Sequence, residues 1–116
     1  MPADGVDAGR RFYGEALGMT EVEHPKGMGE GPFVWFKAGE DGHEIHLFAQ
    51  GDELGRSPGQ HFCLQVDDPA SVRRALEEHG FSTADTAPIR NRPRFFTQDP
   101  FGNRVEIAAI LGDYLD

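Results

Sequence analysis

Three side chains in this sequence have the chemistry and the placement to act together on a small molecule: His46, His61 and Glu106. Each sits in a stretch where apolar and polar residues alternate, and each falls on the polar phase. Over residues 43–49, Ile45, Leu47 and Ala49 share one face and Glu44, His46 and Phe48 the other. Over 61–66, Phe62, Leu64 and Val66 oppose His61, Cys63 and Gln65. Over 104–110, Val105, Ile107 and Ala109 oppose Arg104, Glu106 and Ala108. Strand side chains alternate between faces, so the apolar sets turn to a core and the imidazoles and carboxylate gather opposite. Two neutral nitrogen donors and one hard oxygen suit a divalent metal that keeps open positions for water or substrate. The bland alternative is a pair of hydrogen-bonded strand histidines and a Glu106 paired with Arg94 or Arg104.

Other groups join this set. Arg90, Arg92 and Arg94 form a basic cluster in an acidic chain. They read either as a solvated loop or as a grip on a substrate carboxylate or phosphate, which arginine holds through two parallel hydrogen bonds. Trp35, Phe48 and Phe96 are the aromatic candidates to line a concave site. Cys63, the one cysteine, lies between Phe62 and Leu64 and reads as a packed thiol, because a reactive one needs an accessible, electropositive setting. His24 reads as solvated, His43 as part of a turn or of the apolar side, and His79 as a last-turn helix residue that complements the dipole.

Elements that would position these residues follow from periodicity and punctuation. A helix is predicted over Asp7–Leu17, capped by Asp4 or Asp7 and stopped by Gly18. Strands follow at Met19–Glu23, Phe33–Lys37 and His43–Ala49, with a Gly-rich loop over His24–Pro32 and a turn at Gly39–Gly42. After a linker at Gly51–Gly59 the order repeats: strand Gln60–Val66, a helix capped by Asp67 or Asp68 and stopped by Gly80, a weak strand Phe81–Thr83, and strands Arg94–Gln98 and Arg104–Ile110. Overlaid on their turns, Gly42 meets Gly102, Ile45 meets Val105, His46 meets Glu106 and Leu47 meets Ile107. The first half has no counterpart to the opening strand, because Met1–Gly5 is short and polar. About ten residues before Met1 would supply one; otherwise the exposed strand edge invites a second copy and a homodimer.

The expected architecture is therefore α+β, one domain with a first module over 1–50 and a second over 60–116. The 116 residues suffice for one core. A formal net charge of −9 argues against nucleic acid and anionic membrane surfaces as partners. No apolar run approaches the roughly 20 residues of a membrane helix. One cysteine excludes an internal disulfide and fits a reducing cytoplasm.

Three segments carry a family resemblance. Arg11-Phe12-Tyr13-Gly14-Glu15-Ala16-Leu17-Gly18-Met19 resembles the helix end of the vicinal oxygen chelate superfamily, which includes glyoxalase I, bleomycin-resistance proteins, fosfomycin-resistance enzymes and extradiol dioxygenases. Asp99-Pro100-Phe101-Gly102-Asn103-Arg104-Val105-Glu106 is similar to its terminal hairpin, and His61–Asp68 to the strand opening its second module. The resemblance implies two βαβββ modules in a half-open mixed barrel, the first lacking its opening strand here. It implies metal ligands at His61 and Glu106, with His46 where glyoxalase I has a glutamate; the ligand of the missing strand has no counterpart. The implied cofactor is a divalent ion (Zn, Ni, Mn or Fe), weakly held. The implied activity is metal-assisted lyase, isomerase or dioxygenase-like chemistry on a small oxygen-bearing substrate, with Glu106 and His46 as catalytic groups. The alternative is a non-catalytic protein that sequesters an antibiotic-type molecule, aromatic or cationic, against Trp35, Phe48 and Phe96; Arg92 and Arg94 are the candidate anchors for an anionic substrate.

Overall fold

The alternating segments build two open β-sheets, one in each of two units, Met1–Arg56 and Ser57–Asp116. The computed structural model describes residues 1–29, 31–49 and 59–113. Apart from Gly59, the expected linker lies outside the described residues.

In the first unit, helix α1 (Val6–Gly9) runs on into a π-helical segment, Arg10–Ala16. It precedes strands β1 (Thr20–Val22), β2 (Phe33–Lys37) and β3 (Glu44–Phe48). The strands form an antiparallel sheet in the order β1-β2-β3. The helix departs from expectation at both ends. It starts after Gly5 without a side-chain cap, so neither Asp4 nor Asp7 caps it. Its last turns are wider than α, with the Leu17 N–H reaching back to the Phe12 carbonyl. Phe12 and Tyr13, adjacent in sequence, are nonetheless both fully buried. The Tyr13 ring lies 5.7 Å from Phe36, which with Val34 forms the buried phase of β2.

The second unit contains β4 (His61–Gln65), α2 (Pro69–Glu78), β5 (Thr83–Ala84), β6 (Arg94–Gln98) and β7 (Arg104–Ala108). Its sheet has the order β4-β7-β6-β5 and is mixed, because β4 runs parallel to β7 while the other pairs are antiparallel. Of the two aspartates expected to cap α2, Asp68 does so. Its carboxylate accepts from Ser71 N–H at 3.4 Å, and Pro69 opens the helix where a missing N–H costs nothing. Leu76, Phe95, Val105 and Ile107 form the core of this unit.

The repeat read from the sequence reappears as register. Trp35 lies opposite His46 in the β2–β3 pair, and Phe96 opposite Glu106 in the β6–β7 pair. Gly42 and Gly102 take φ of 84° and 86°, a left-handed conformation that a side chain would oppose. The first sheet has no described strand beyond β3, where the second has β4 beside β7. At that edge the Met1 amine donates to the Phe48 carbonyl at 3.1 Å. The second unit has the matching bond, Val66 N–H to the Ala108 carbonyl at 2.8 Å.

The turn between β6 and β7 is built on one buried carboxylate. Asp99 accepts from Phe101 N–H at 2.9 Å, Asn103 N–H at 2.8 Å and Asn103 Nδ2 at 2.7 Å. Asp99→Ala is expected to cost about 2–3 kcal/mol, since buried donors lose a charged acceptor. Urea denaturation of both proteins checks this, and a loss below about 0.5 kcal/mol would show that the turn closes without Asp99.

Candidate functional site

Strand β7 is paired on both sides, and its neighbours decide what meets Glu106. Parallel pairing with β4 sets Cys63 opposite Glu106 and His61 opposite Arg104. Antiparallel pairing with β6 sets Phe96 opposite Glu106 and Gln98 opposite Arg104. The core residues Val105, Ile107 and Phe95 have the other parity. Their burial leaves His61, Cys63, Arg94, Phe96, Arg104 and Glu106 to the opposite face.

On that face two sequence candidates meet directly. His61 Nε2 lies 3.0 Å from Glu106 Oε1, and its Nδ1 lies 2.8 Å from the Gly59 carbonyl. Both partners are acceptors, so the ring fills both bonds when it carries a proton on each nitrogen. A neutral ring keeps both only if Glu106 holds the proton instead. The second carboxylate oxygen, Oε2, stands 3.5 Å from Arg94 Nη1. Side-chain exposure is 13% for Arg94 and for Glu106, and 31% for His61. The carboxylate is thus largely removed from water and compensated on both oxygens.

Arg94 belongs to this site and not to a solvated loop. Its Nη2 donates to the Ala87 carbonyl at 2.8 Å. Its Nε is buried and has no hydrogen-bond acceptor among the described residues, a situation that costs about 1–3 kcal/mol. Phe96 is the floor of the site, with only 6% of its surface exposed. The Arg104 guanidinium lies 3.8 Å from its ring centroid and that of Arg94 5.8 Å, both within cation–π range. The His61 ring meets it edge-on at 4.9 Å.

Cys63 is not the packed thiol that its apolar neighbours suggested. It lies on an edge strand and is exposed. Its thiol is nevertheless pushed up from the ordinary value, first by partial burial of the sulfur and then by the charge and hydrogen bond of Glu106; Arg92 and Arg94 oppose this.

In the first unit, Trp35 and His46 stack flat, with ring centroids 3.4 Å apart and planes 7° off parallel. His46 Nε2 also contacts Glu44 Oε1 at 3.1 Å. His24, expected to stand in solvent, is exposed but lies edge-on to Phe33 at 5.2 Å and to Trp35 at 6.3 Å. Phe48, on the same strand as His46, is 50% exposed.

Among the described residues, no group of three or more His, Cys, Asp or Glu side chains could hold a metal ion. A complete ligand set of protein side chains therefore does not fit; His61 and Glu106 supply two donors of suitable type. Sequence reasoning missed Gly59, whose carbonyl orients the His61 ring, and the reach of the Arg104 guanidinium over Phe96. No local signal marks either, since both depend on which strands lie side by side. The Trp35–His46 stack did have a signal: the two fall opposite each other once the hairpin of residues 33–48 is registered.

The thiol supplies a test of this geometry. Raised by burial and by Glu106, it should alkylate more slowly than a free cysteine near pH 8. Glu106→Gln removes the negative charge, lowers the thiol toward its ordinary value and is expected to speed iodoacetamide labelling several-fold. Equal labelling rates in the two proteins would mean that Glu106 does not act on Cys63.

Comparison with known proteins gives a consistent picture. The profile of the Glyoxalase/Bleomycin resistance protein/Dioxygenase superfamily matches residues 1–107. A solved structure of a protein assigned to the glyoxalase family, from Bacillus anthracis, is 27% identical with a TM-score of 0.82, covering 95% of this chain and 88% of that one. Lactoylglutathione lyase from Agrobacterium tumefaciens is 24% identical with a TM-score of 0.64, covering 94% and 88%. A glyoxalase/bleomycin resistance protein/dioxygenase from Alicyclobacillus acidocaldarius is 18% identical with a TM-score of 0.63, covering 97% and 89%. The last two share the fold with this chain. No curated protein is a significant match.

Proposed function

We propose that this chain, which belongs to the Glyoxalase/Bleomycin resistance protein/Dioxygenase superfamily, binds a small oxygen-bearing molecule on the face of the second unit's sheet that carries Glu106 and moves a proton on it through the His61–Glu106 pair. The observation that carries the reading is the 3.0 Å contact between His61 Nε2 and Glu106 Oε1. A carboxylate and an imidazole sharing one proton can act as base and acid on neighbouring atoms. On a 2-hydroxy carbonyl compound, Glu106 takes the proton from the hydroxyl-bearing carbon and His61 gives one to the carbonyl oxygen, leaving an enediol. Glu106 then returns its proton to the former carbonyl carbon while His61 takes the proton of the other hydroxyl, which completes an isomerisation. General acid–base catalysis of this kind contributes about 10²–10⁴-fold.

The Gly59 carbonyl keeps the ring turned toward Glu106, and Phe96 excludes water beneath it. A divalent cation, when bound, would be held by His61 and Glu106 and would supply Lewis-acid polarisation of the substrate oxygens. With two protein donors its affinity would be low. His46, engaged with Trp35 and Glu44, has no step in this scheme.

A second reading has its own observation. Both oxygens of Glu106 already have cationic or proton-bearing neighbours, His61 and Arg94. A base so fully engaged also suits a protein that binds and sequesters without chemistry.

One experiment separates the two. A panel of 2-hydroxy and 2-oxo carbonyl compounds is incubated with the protein in D₂O, with and without Zn²⁺, Ni²⁺ or Mn²⁺, and α-proton exchange is followed by NMR. Accelerated exchange for at least one member is expected, lost in Glu106→Gln and in His61→Ala. Binding without exchange, under every metal condition, would leave the sequestering reading.

A further inference from the structure

We infer that the molecule taken by this face carries a carboxylate, and that Arg94 seats that carboxylate beside the His61–Glu106 pair. The inference rests on the proposed function only for the position of the reacting end of the ligand.

Three observations lead to it. The first is local charge. In a chain of formal net charge −9, the groups around Phe96 include the guanidiniums of Arg94 and Arg104, and the field of Arg92 reaches the Cys63 thiol. The carboxylate of Glu106 stands beside Arg94. The face is therefore a cationic island in an acidic protein, and it attracts anions that the rest of the surface repels.

The second is the hydrogen-bond state of Arg94. Its Nη2 is tied to the Ala87 carbonyl and its Nη1 stands 3.5 Å from Glu106 Oε2, beyond a good charge-assisted bond. The buried Nε has no acceptor among the described residues. The guanidinium is thus held in place with a donor unused; Nε is shielded from solvent, so an arriving anion fills it by displacing the side chains that cover it.

The third is the character of the anion already there. The carboxylate that Arg94 faces is that of Glu106, so the surroundings accommodate a planar monoanion. A carboxylate ligand would present one oxygen to Nε while its adjacent hydroxyl or oxo group reaches the His61–Glu106 pair. A 2-hydroxy or 2-oxo acid has both groups on neighbouring carbons. Arg104, spread over Phe96, positions the ring and adds to the field; it is a positioning residue here.

The test uses calorimetry on the full chain with 2-hydroxybutyrate, its neutral amide and inorganic phosphate as probes, alongside NMR exchange in D₂O. The carboxylate is expected to bind at least about tenfold more tightly than the amide, and phosphate no better than the amide. Arg94→Gln should weaken carboxylate binding roughly ten- to hundredfold, and Arg94→Lys, which keeps the charge but loses the Nε donor, by an intermediate factor. Circular dichroism confirms that both variants are folded. Glu106→Gln should bind the carboxylate as tightly as the unaltered protein or more tightly, because it removes the competing anion from Arg94. Equal affinity for acid and amide, unchanged binding in Arg94→Gln, tighter binding of phosphate, or no binding of the acid at millimolar concentration would each overturn the inference. Carboxylate binding without proton exchange would overturn the proton-transfer reading and leave this one standing; exchange confined to neutral compounds would do the opposite.

Discussion

The chemistry of the second unit depends on β7 being paired along both edges. A strand in that position has every backbone group satisfied within the sheet and its side chains forced into strict alternation. Val105 and Ile107 are fully buried, and their packing against the core commits Glu106 to the other face. The two neighbouring strands then deliver the partners, His61 from β4 through a parallel pairing and Arg94 and Phe96 from β6 through an antiparallel one. A one-residue slip in either pairing would turn the delivered side chains to the core. The apolar residues of the sheet therefore specify the polar site, and the Asp99 turn maintains the register by fixing where β6 ends and β7 begins.

The two units show the same scaffold carrying different contents. His46 and Glu106 hold equivalent places, opposite Trp35 and Phe96 respectively. In the first unit the residue pair is an imidazole flat on an indole, an arrangement of two π systems. In the second it is a carboxylate beside a phenyl ring, and the ring is covered instead by guanidiniums. An anionic group cannot lie favourably on an aromatic face, whereas a cation can. The change from His46 to Glu106 at one position thus accompanies the change from a stacked aromatic surface to an arginine-covered one.

Much of this was legible in the sequence where the determining forces are local. The strands Phe33–Lys37 and Arg94–Gln98 were read to the residue, because aromatic and β-branched alternation and flanking turns act over a few positions. The internal overlay equated His46 with Glu106, because turn residues anchor each hairpin. Strand parity put His61 and Glu106 on one type of face. Parity is silent on register between distant strands, so neither the neighbourhood of Cys63 and Glu106 nor the reach of Arg104 over Phe96 could be read. The first helix went astray for a related reason: its apolar spacing predicted an α-helix, but burying the adjacent Phe12 and Tyr13 against β2 accompanies a wider winding than propensity alone selects. Asp4 and Asp7 looked like caps by type, and the helix began at Val6, between them.

Electrostatic compensation explains why the site takes the form of a cluster and not of single residues. A carboxylate at 13% exposure loses most of its hydration and is stable only when partners replace it. Glu106 has an imidazole nitrogen on one oxygen and a guanidinium near the other. Arg94 faces the same demand, and it is met at Nη2 by Ala87, loosely at Nη1 by Glu106, and at Nε by nothing described. The compensation is therefore closer for Glu106 than for Arg94. A site left with unused cationic donors in a buried setting is poised to gain from an anion. The added charge would find its desolvation already offset by groups held in position before it arrives. This asymmetry, more than the identity of any one residue, gives the face its preference.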